Sequence, residues 1–262
     1  MNQPLSSGLT KIRQVLDRLL DPESGCPWDR RQTPDSLGLY LLEETYELLE
    51  AIENRDPAAV FEEMGDCFFI LGFLARLLQN QNGLDEDKVL EVAADKIISR
   101  HPHVFGPSPA LKTAEDVREK WHQLKRKEKG GGSFLEGVPQ NMPALLRAHR
   151  LTERAGRAGF DWENPEAVLE TLDQELGELK KAAQAGDQGR VQAEFGDVLF
   201  TLANLGRHLR VNAEDALHKA NRRFTQRFQY IEQALARQGR SLEETTLDEM
   251  DRLWAEAKSQ GL

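Results

Sequence analysis

The feature that most constrains this chain is a pattern of four acids that occurs twice in the same register. Glu44 and Glu47 are followed, sixteen positions after Glu47, by Glu63 and Asp66; Glu175 and Glu178 are followed at the same interval by Glu194 and Asp197. Each acid of the later copy stands 131 positions after its counterpart. A shared offset over four residues implies one folding unit used twice. Within each pair the acids are three apart, which on a helix puts them on one face about a side chain's width from each other.

The apolar neighbours suggest what the acids are for. Glu44 and Glu47 edge a stripe of Leu41, Leu48, Leu49 and Ile52, while Glu63 and Asp66 share a face with Cys67, Ile70, Phe73 and Leu74. Glu194 and Asp197 share theirs with Val198, Thr201 and Leu205. A helix apolar nearly all round reads as buried, and an ionised carboxylate there needs a partner or a proton. Four oxygen donors without His or Cys suit a hard cation, Mg²⁺ with Mn²⁺ as substitute. The competing reading, solvated helix-face charges, fits a single Glu-x-x-Glu better than a repeated and register-locked set.

The rest of the chain supports an all-α protein of two tandem helical bundles without significant β-sheet. Helical periodicity predicts helices over about 8–20, 34–54, 57–80, 84–100 and 114–129. A Gly/Pro-rich linker follows at 130–142, then helices over about 143–157, 165–185, 188–210, 213–238 and 247–258. The domains expected are therefore 1–129 and 143–262. His101-Pro102-His103 is expected to end the fourth helix, and period-two alternation is missing. The three glycines at 130–132 lack the following Lys-Ser/Thr of a phosphate loop.

Charge and cysteine content narrow the function. With 34 basic and 44 acidic residues the net charge is −10, unsuited to a nucleic-acid backbone as main partner. A nucleotide stays possible, because bound metal supplies positive charge locally. Cys26 and Cys67 are expected as reduced thiols of a cytoplasmic protein. The first twenty residues lack the apolar core of a signal peptide. The greasy run from Cys67 to Leu78, interrupted by Arg76, is too short to cross a bilayer.

The halves differ in their fourth helix. The later copy carries Lys219, Arg222, Arg223 and Arg227, with Arg223 and Arg227 one turn apart and able to reach phosphate oxygens. The earlier has Lys96 and Arg100 and then the His-Pro-His break. Trp-x-x-x-Lys recurs in the last helix of each half, as Trp121/Lys125 and Trp254/Lys258. No Ser-His-Asp or Cys-His arrangement is evident, which favours direct attack by water. A di-iron bundle would want Glu-x-x-His on two helices, and the sequence has it only once, at Glu119–His122.

Together the acid spacing, HPHVF at 101–105, LEGVPQNMPALLRAHR before the second half, GFDW at 159–162 and KANRRF at 219–224 resemble the MazG family of tandem nucleoside triphosphate pyrophosphohydrolases. The resemblance covers nearly the whole chain. It implies an all-α homodimer that cleaves NTPs or dNTPs between the α and β phosphates with Mg²⁺, giving NMP and pyrophosphate. It implies Glu175, Glu178, Glu194 and Asp197 as metal ligands and catalytic groups, with Glu44, Glu47, Glu63 and Asp66 as their first-half counterparts. Lys219, Asn221, Arg223, Arg227, Trp254 and Lys258 become nucleotide-binding residues. Gln174 stands where the family has a Glu, and Glu43 fills that place in the first half. The alternative is a nucleotide- or metal-binding regulatory module without turnover, most suited to the first half.

Overall fold

The computed structural model describes residues 8–82, 86–107, 112–128 and 132–262. The turn expected around Gly83, Leu84 and Asp85, and two of the linker glycines, lie outside them. Among the described residues every regular element is helical, in two units, Met1–Gly130 and Gly131–Leu262. No helix there is long and apolar enough to cross a membrane.

The first unit comprises α1 (Gly8–Leu19), α2 (Pro34–Asn54), α3 (Pro57–Asn82), α4 (Glu86–Arg100), α5 (Pro102–Phe105) and α6 (Ala114–Glu128). Thr33 and Ser36 form a capping box at the start of α2, with Pro34 in the first turn, where its missing N–H is no loss. At the other end Arg55 adopts the left-handed conformation, φ 55°, and Asp56 Oδ1 accepts from the Ala58 and Ala59 amides at the head of α3. This two-residue connection folds α3 back along α2. Leu16, Leu37 and Phe73 form the core, with Ile12, Leu20, Tyr40, Phe69, Ile70, Leu74 and Leu77 packed around them.

The second unit comprises α7 (Ala144–Arg157), α8 (Pro165–Ala185), α9 (Gln188–His208), α10 (Ala213–Arg237) and α11 (Leu247–Ser259). Asn164 caps α8 from the Ala167 amide, with Pro165 again in the first turn. Gly186 (φ 69°) ends α8 in the left-handed region and Asp187 caps α9. The same backbone device thus sits at Arg55-Asp56 and Gly186-Asp187, 131 positions apart. Glycine adopts that φ without the strain an arginine bears. α9 packs on α7 and α8, and α10 on α7, α9 and α11.

As expected from His101-Pro102-His103, α4 stops at Arg100; Pro102 then starts the short α5 after one non-helical residue. Proline is compatible with a first turn though not with the interior of α4. Part of the stretch before α7 is tied to that helix: the Arg154 guanidinium donates to the Glu136 carbonyl and, at 3.2 Å, to that of Gly137.

Candidate active site

The two helical hairpins bring acids together once in each unit. In the first, Glu44 of α2 and Glu63 and Asp66 of α3 each offer one carboxylate oxygen within 4.8 Å of the others. In the second, Glu175 of α8 and Glu194 and Asp197 of α9 do the same. Oxygens around Mg²⁺ lie about 2.1 Å from the ion, and so up to about 4.2 Å from one another. Either set can close on a hard divalent cation by small side-chain movements. The chemistry fits, since each set is all oxygen.

The fourth acid behaves differently. Glu47 and Glu178 stand outside these three-residue groups. Glu178 Oε1 accepts from Lys181 Nζ at 2.9 Å, and Arg190 Nη2 lies 3.5 Å from Glu178 Oε2 and 3.6 Å from Glu194 Oε1. The Lys181 hydrogen bond, aided by the charges of Lys181 and Arg190, holds the Glu178 carboxyl below its ordinary range. The first unit carries Glu50 and Ala59 at the positions corresponding to Lys181 and Arg190. There, Glu44 is pushed upward by desolvation and then by Asp66, Glu47 and Glu63. Glu63 is pushed upward by desolvation and then by Glu47, Glu62 and Asp66. The offset that reveals the acids would also have revealed this difference in countercharge.

The expected burial of the acids is corrected. Glu44, Glu63, Glu175 and Glu194 are half-buried, and Asp66 and Asp197 are exposed. The helix expected to be wrapped on all sides shows Phe61, Met64, Phe68 and Leu71 to solvent. In the first unit partial desolvation, with the repulsion of neighbouring acids added to it, is what a cation would relieve.

The upward shift of Glu44 and Glu63, from desolvation and then repulsion, has a pH signature. An acid whose folded pKa exceeds its unfolded value takes up protons on folding, so stability falls as pH rises between the two values. With divalent ions chelated away, the first unit is expected to lose stability as pH rises through the upper carboxylate range, and Mg²⁺ should reduce that loss. Thermal unfolding followed against pH, with and without Mg²⁺, checks this; an identical pH slope in both conditions overturns it.

The nucleotide-side candidates lie on α10 and α11. Lys219, Arg223 and Arg227 recur at helical spacing on α10. Lys219 Nζ pairs with Asp215 at 2.8 Å. The Arg227 guanidinium lies 5.4 Å from the Trp254 ring centre, and its Nε donates to the Leu262 carbonyl at 2.7 Å. Phe224 meets Trp254 at 5.2 Å. Asn221, Arg223 and Lys258 are exposed.

A polar network that spacing arguments missed ties the GFDW loop to α9. Asp161 accepts from Arg207 and pairs with His208 Nε2 at 3.0 Å, and Arg207 Nε donates to fully buried Asn204 at 2.9 Å. Trp162 Nε1 donates to Thr171 Oγ1 at 3.0 Å, one turn before Glu175. Asn204, Arg207 and His208 share one turn of α9, but Asp161 lies 46 and 47 positions before Arg207 and His208, so only the folded chain brings it to them.

Comparison with known proteins bears on these observations. Residues 32–105 and 163–231 match the MazG nucleotide pyrophosphohydrolase domain. Over 250 residues the chain is 39% identical to the nucleoside triphosphate pyrophosphohydrolase/pyrophosphatase MazG of Thermotoga maritima, covering 95% of this chain and 94% of that protein. It is 37% identical over 257 residues to a nucleoside triphosphate pyrophosphohydrolase of Escherichia coli K12, covering 96% and 97%. The crystal structure of a mazG-related protein from Thermotoga maritima matches at 26% identity, with a TM-score of 0.39, over 45% of this chain and 98% of that one.

Proposed function

The chain belongs to the MazG nucleotide pyrophosphohydrolase family, and on that premise we propose that it is a nucleoside triphosphate pyrophosphohydrolase whose working site is in the second domain. It hydrolyses NTPs or dNTPs between the α and β phosphates, with Mg²⁺ or Mn²⁺, to NMP or dNMP and pyrophosphate. The observation that carries this reading is the convergence of Glu175, Glu194 and Asp197 in the domain whose α10 also carries Arg223 and Arg227 one turn apart.

Glu175, Glu194 and Asp197 hold the cation, which when bound neutralises phosphate charge and makes water a better nucleophile. Glu178, kept ionised by Lys181, accepts a hydrogen bond from the attacking water and orients it. Lys219, Arg223, Arg227 and Lys258 stabilise charge on the phosphate oxygens, and Asn221 adds a hydrogen-bonding amide beside them. Trp254, with Phe224 against it, forms the aromatic wall for the nucleoside. The Asp161–Arg207–His208 contacts hold the loop before α8 and so help keep Glu175 in place.

The protein acts as a homodimer in the cytoplasm. Apolar surface supports pairing: Leu39 and Phe61 are 72% and 81% exposed, and Phe195, Leu199, Phe200 and Leu202 are exposed on α9, more than a lone chain ordinarily shows to water. Cys26 and Cys67, both free, suit a reducing compartment. A stable monomer by light scattering would count against pairing.

The deciding assay incubates the protein with an NTP and Mg²⁺ and identifies the products. NMP with pyrophosphate is expected; NDP with phosphate, or binding without products, refutes the reading.

A further inference from the structure

The two domains flank their corresponding tryptophans, Trp121 and Trp254, in parallel ways, and the parallel sets a register. In the second, Trp254 lies against the Phe224 ring at 5.2 Å and the Arg227 guanidinium at 5.4 Å. In the first, Trp121 lies against the His101 ring at 5.0 Å and the Arg100 guanidinium at 5.1 Å. Matching His101 with Phe224 lays KIISRHPHVF (96–105) over KANRRFTQRF (219–228). Lys96 then falls on Lys219, Arg100 on Arg223, and Val104 on Arg227. Over these ten positions the first domain has one arginine where the second has three, Arg222, Arg223 and Arg227, and that one is drawn onto the tryptophan.

The same arginine is committed a second time. Arg100 is buried, and its Nε and Nη2 donate to Glu128 Oε2 at 3.0 and 2.5 Å. Ser99 Oγ reaches the other carboxylate oxygen at 3.4 Å. Glu128 is three residues beyond Lys125 on α6; three residues beyond Lys258 the second domain has Gly261, with no side chain, and there Arg227 donates to the main-chain oxygen of Leu262 at 2.7 Å rather than to a side-chain carboxylate. A carboxylate on a guanidinium makes the same kind of charge-assisted hydrogen bonds as a phosphate. An incoming polyphosphate must therefore displace an anion the domain already supplies.

We propose that Glu128 is a built-in counter-anion that closes the first domain to nucleoside triphosphates, leaving that domain a cation site without a triphosphate site. This rests on the reading of Arg223, Arg227, Trp254 and Lys258 as the second domain's triphosphate-binding residues.

Titration calorimetry of the full chain with Mg²⁺ and α,β-methylene ATP, which cannot be cut at the α–β bond, tests it. Wild type is expected to bind one nucleotide per chain, and Arg227→Gln to weaken that event. Glu128→Gln should bind two, with inorganic tripolyphosphate also gaining a site. Glu128→Gln/Arg100→Gln should return to one. Glu128→Gly, matching the second domain, serves if the Gln variant unfolds on heating earlier than wild type. Two sites in wild type, or one in a folded Glu128 variant with both probes, overturns the proposal. No binding by wild type removes the reading of the second domain, and the proposal with it.

Discussion

Glu194→Gln is expected to lower kcat/KM for triphosphate hydrolysis by about a thousandfold, or about 4 kcal/mol of transition-state stabilisation. The substitution keeps size and one oxygen but removes the charge from a set whose oxygens lie within 4.8 Å of one another. Glu194 also takes part in the Arg190 contact at 3.6 Å, so neutralising it leaves Arg190 nearer an excess of positive charge and further disfavours a cation. The effect on Mg²⁺ affinity is readable separately from turnover. The counterpart change, Glu63→Gln, is expected to leave hydrolysis near the wild-type rate, because the first domain lacks a second phosphate-side arginine. Pyrophosphate release from the two variants decides. A loss below tenfold from Glu194→Gln, or an equal loss from Glu63→Gln, would sink the assignment of the working site.

The largest effect on stability is expected from Phe73→Ala, about 3–5 kcal/mol. Phe73 is 1% exposed, lies with Leu16 and Leu37 at the centre of the first unit, and meets Phe69 edge-on at 6.1 Å. The chain around it comes from α1, α2 and α3, so collapse into the cavity would require three helices to shift together. Phe61, about three turns upstream on the same helix, is 81% exposed. Its replacement by Ala should change stability by no more than about 0.5 kcal/mol in the isolated chain. Denaturant unfolding compares them directly. If Phe61→Ala proves as costly as Phe73→Ala, that face is covered in solution and the proposed pairing of chains gains its evidence there.

Much of the fold was legible because its signals are local. Helix starts were marked by Thr33-Pro34 and Asn164-Pro165, whose side chains and rings act within one turn. Both hairpins were marked by an Asp after a helix terminator. What stayed hidden was the behaviour of residues that carry no periodic signature. Asp161, Arg207 and His208 meet only when the GFDW loop docks on α9. Glu128 reads in sequence as one more charge in a basic run, and its pairing with Arg100 bridges 28 positions. The apolar stripe on α3 predicted burial correctly for Phe73 and wrongly for its opposite side. Hydropathy counts greasy faces without saying which one a neighbour covers.

By itself the sequence determined that the chain is helical, that it uses one unit twice, and that each copy gathers acids suited to a hard cation. Periodicity and spacing along a helix are enough for that. The tertiary structure alone decided which three acids of each four converge and that Glu128 occupies the first domain's arginine. These depend on where side chains from different helices end, and a spacing along one helix fixes the face a residue shares but not the partner it finds across the gap.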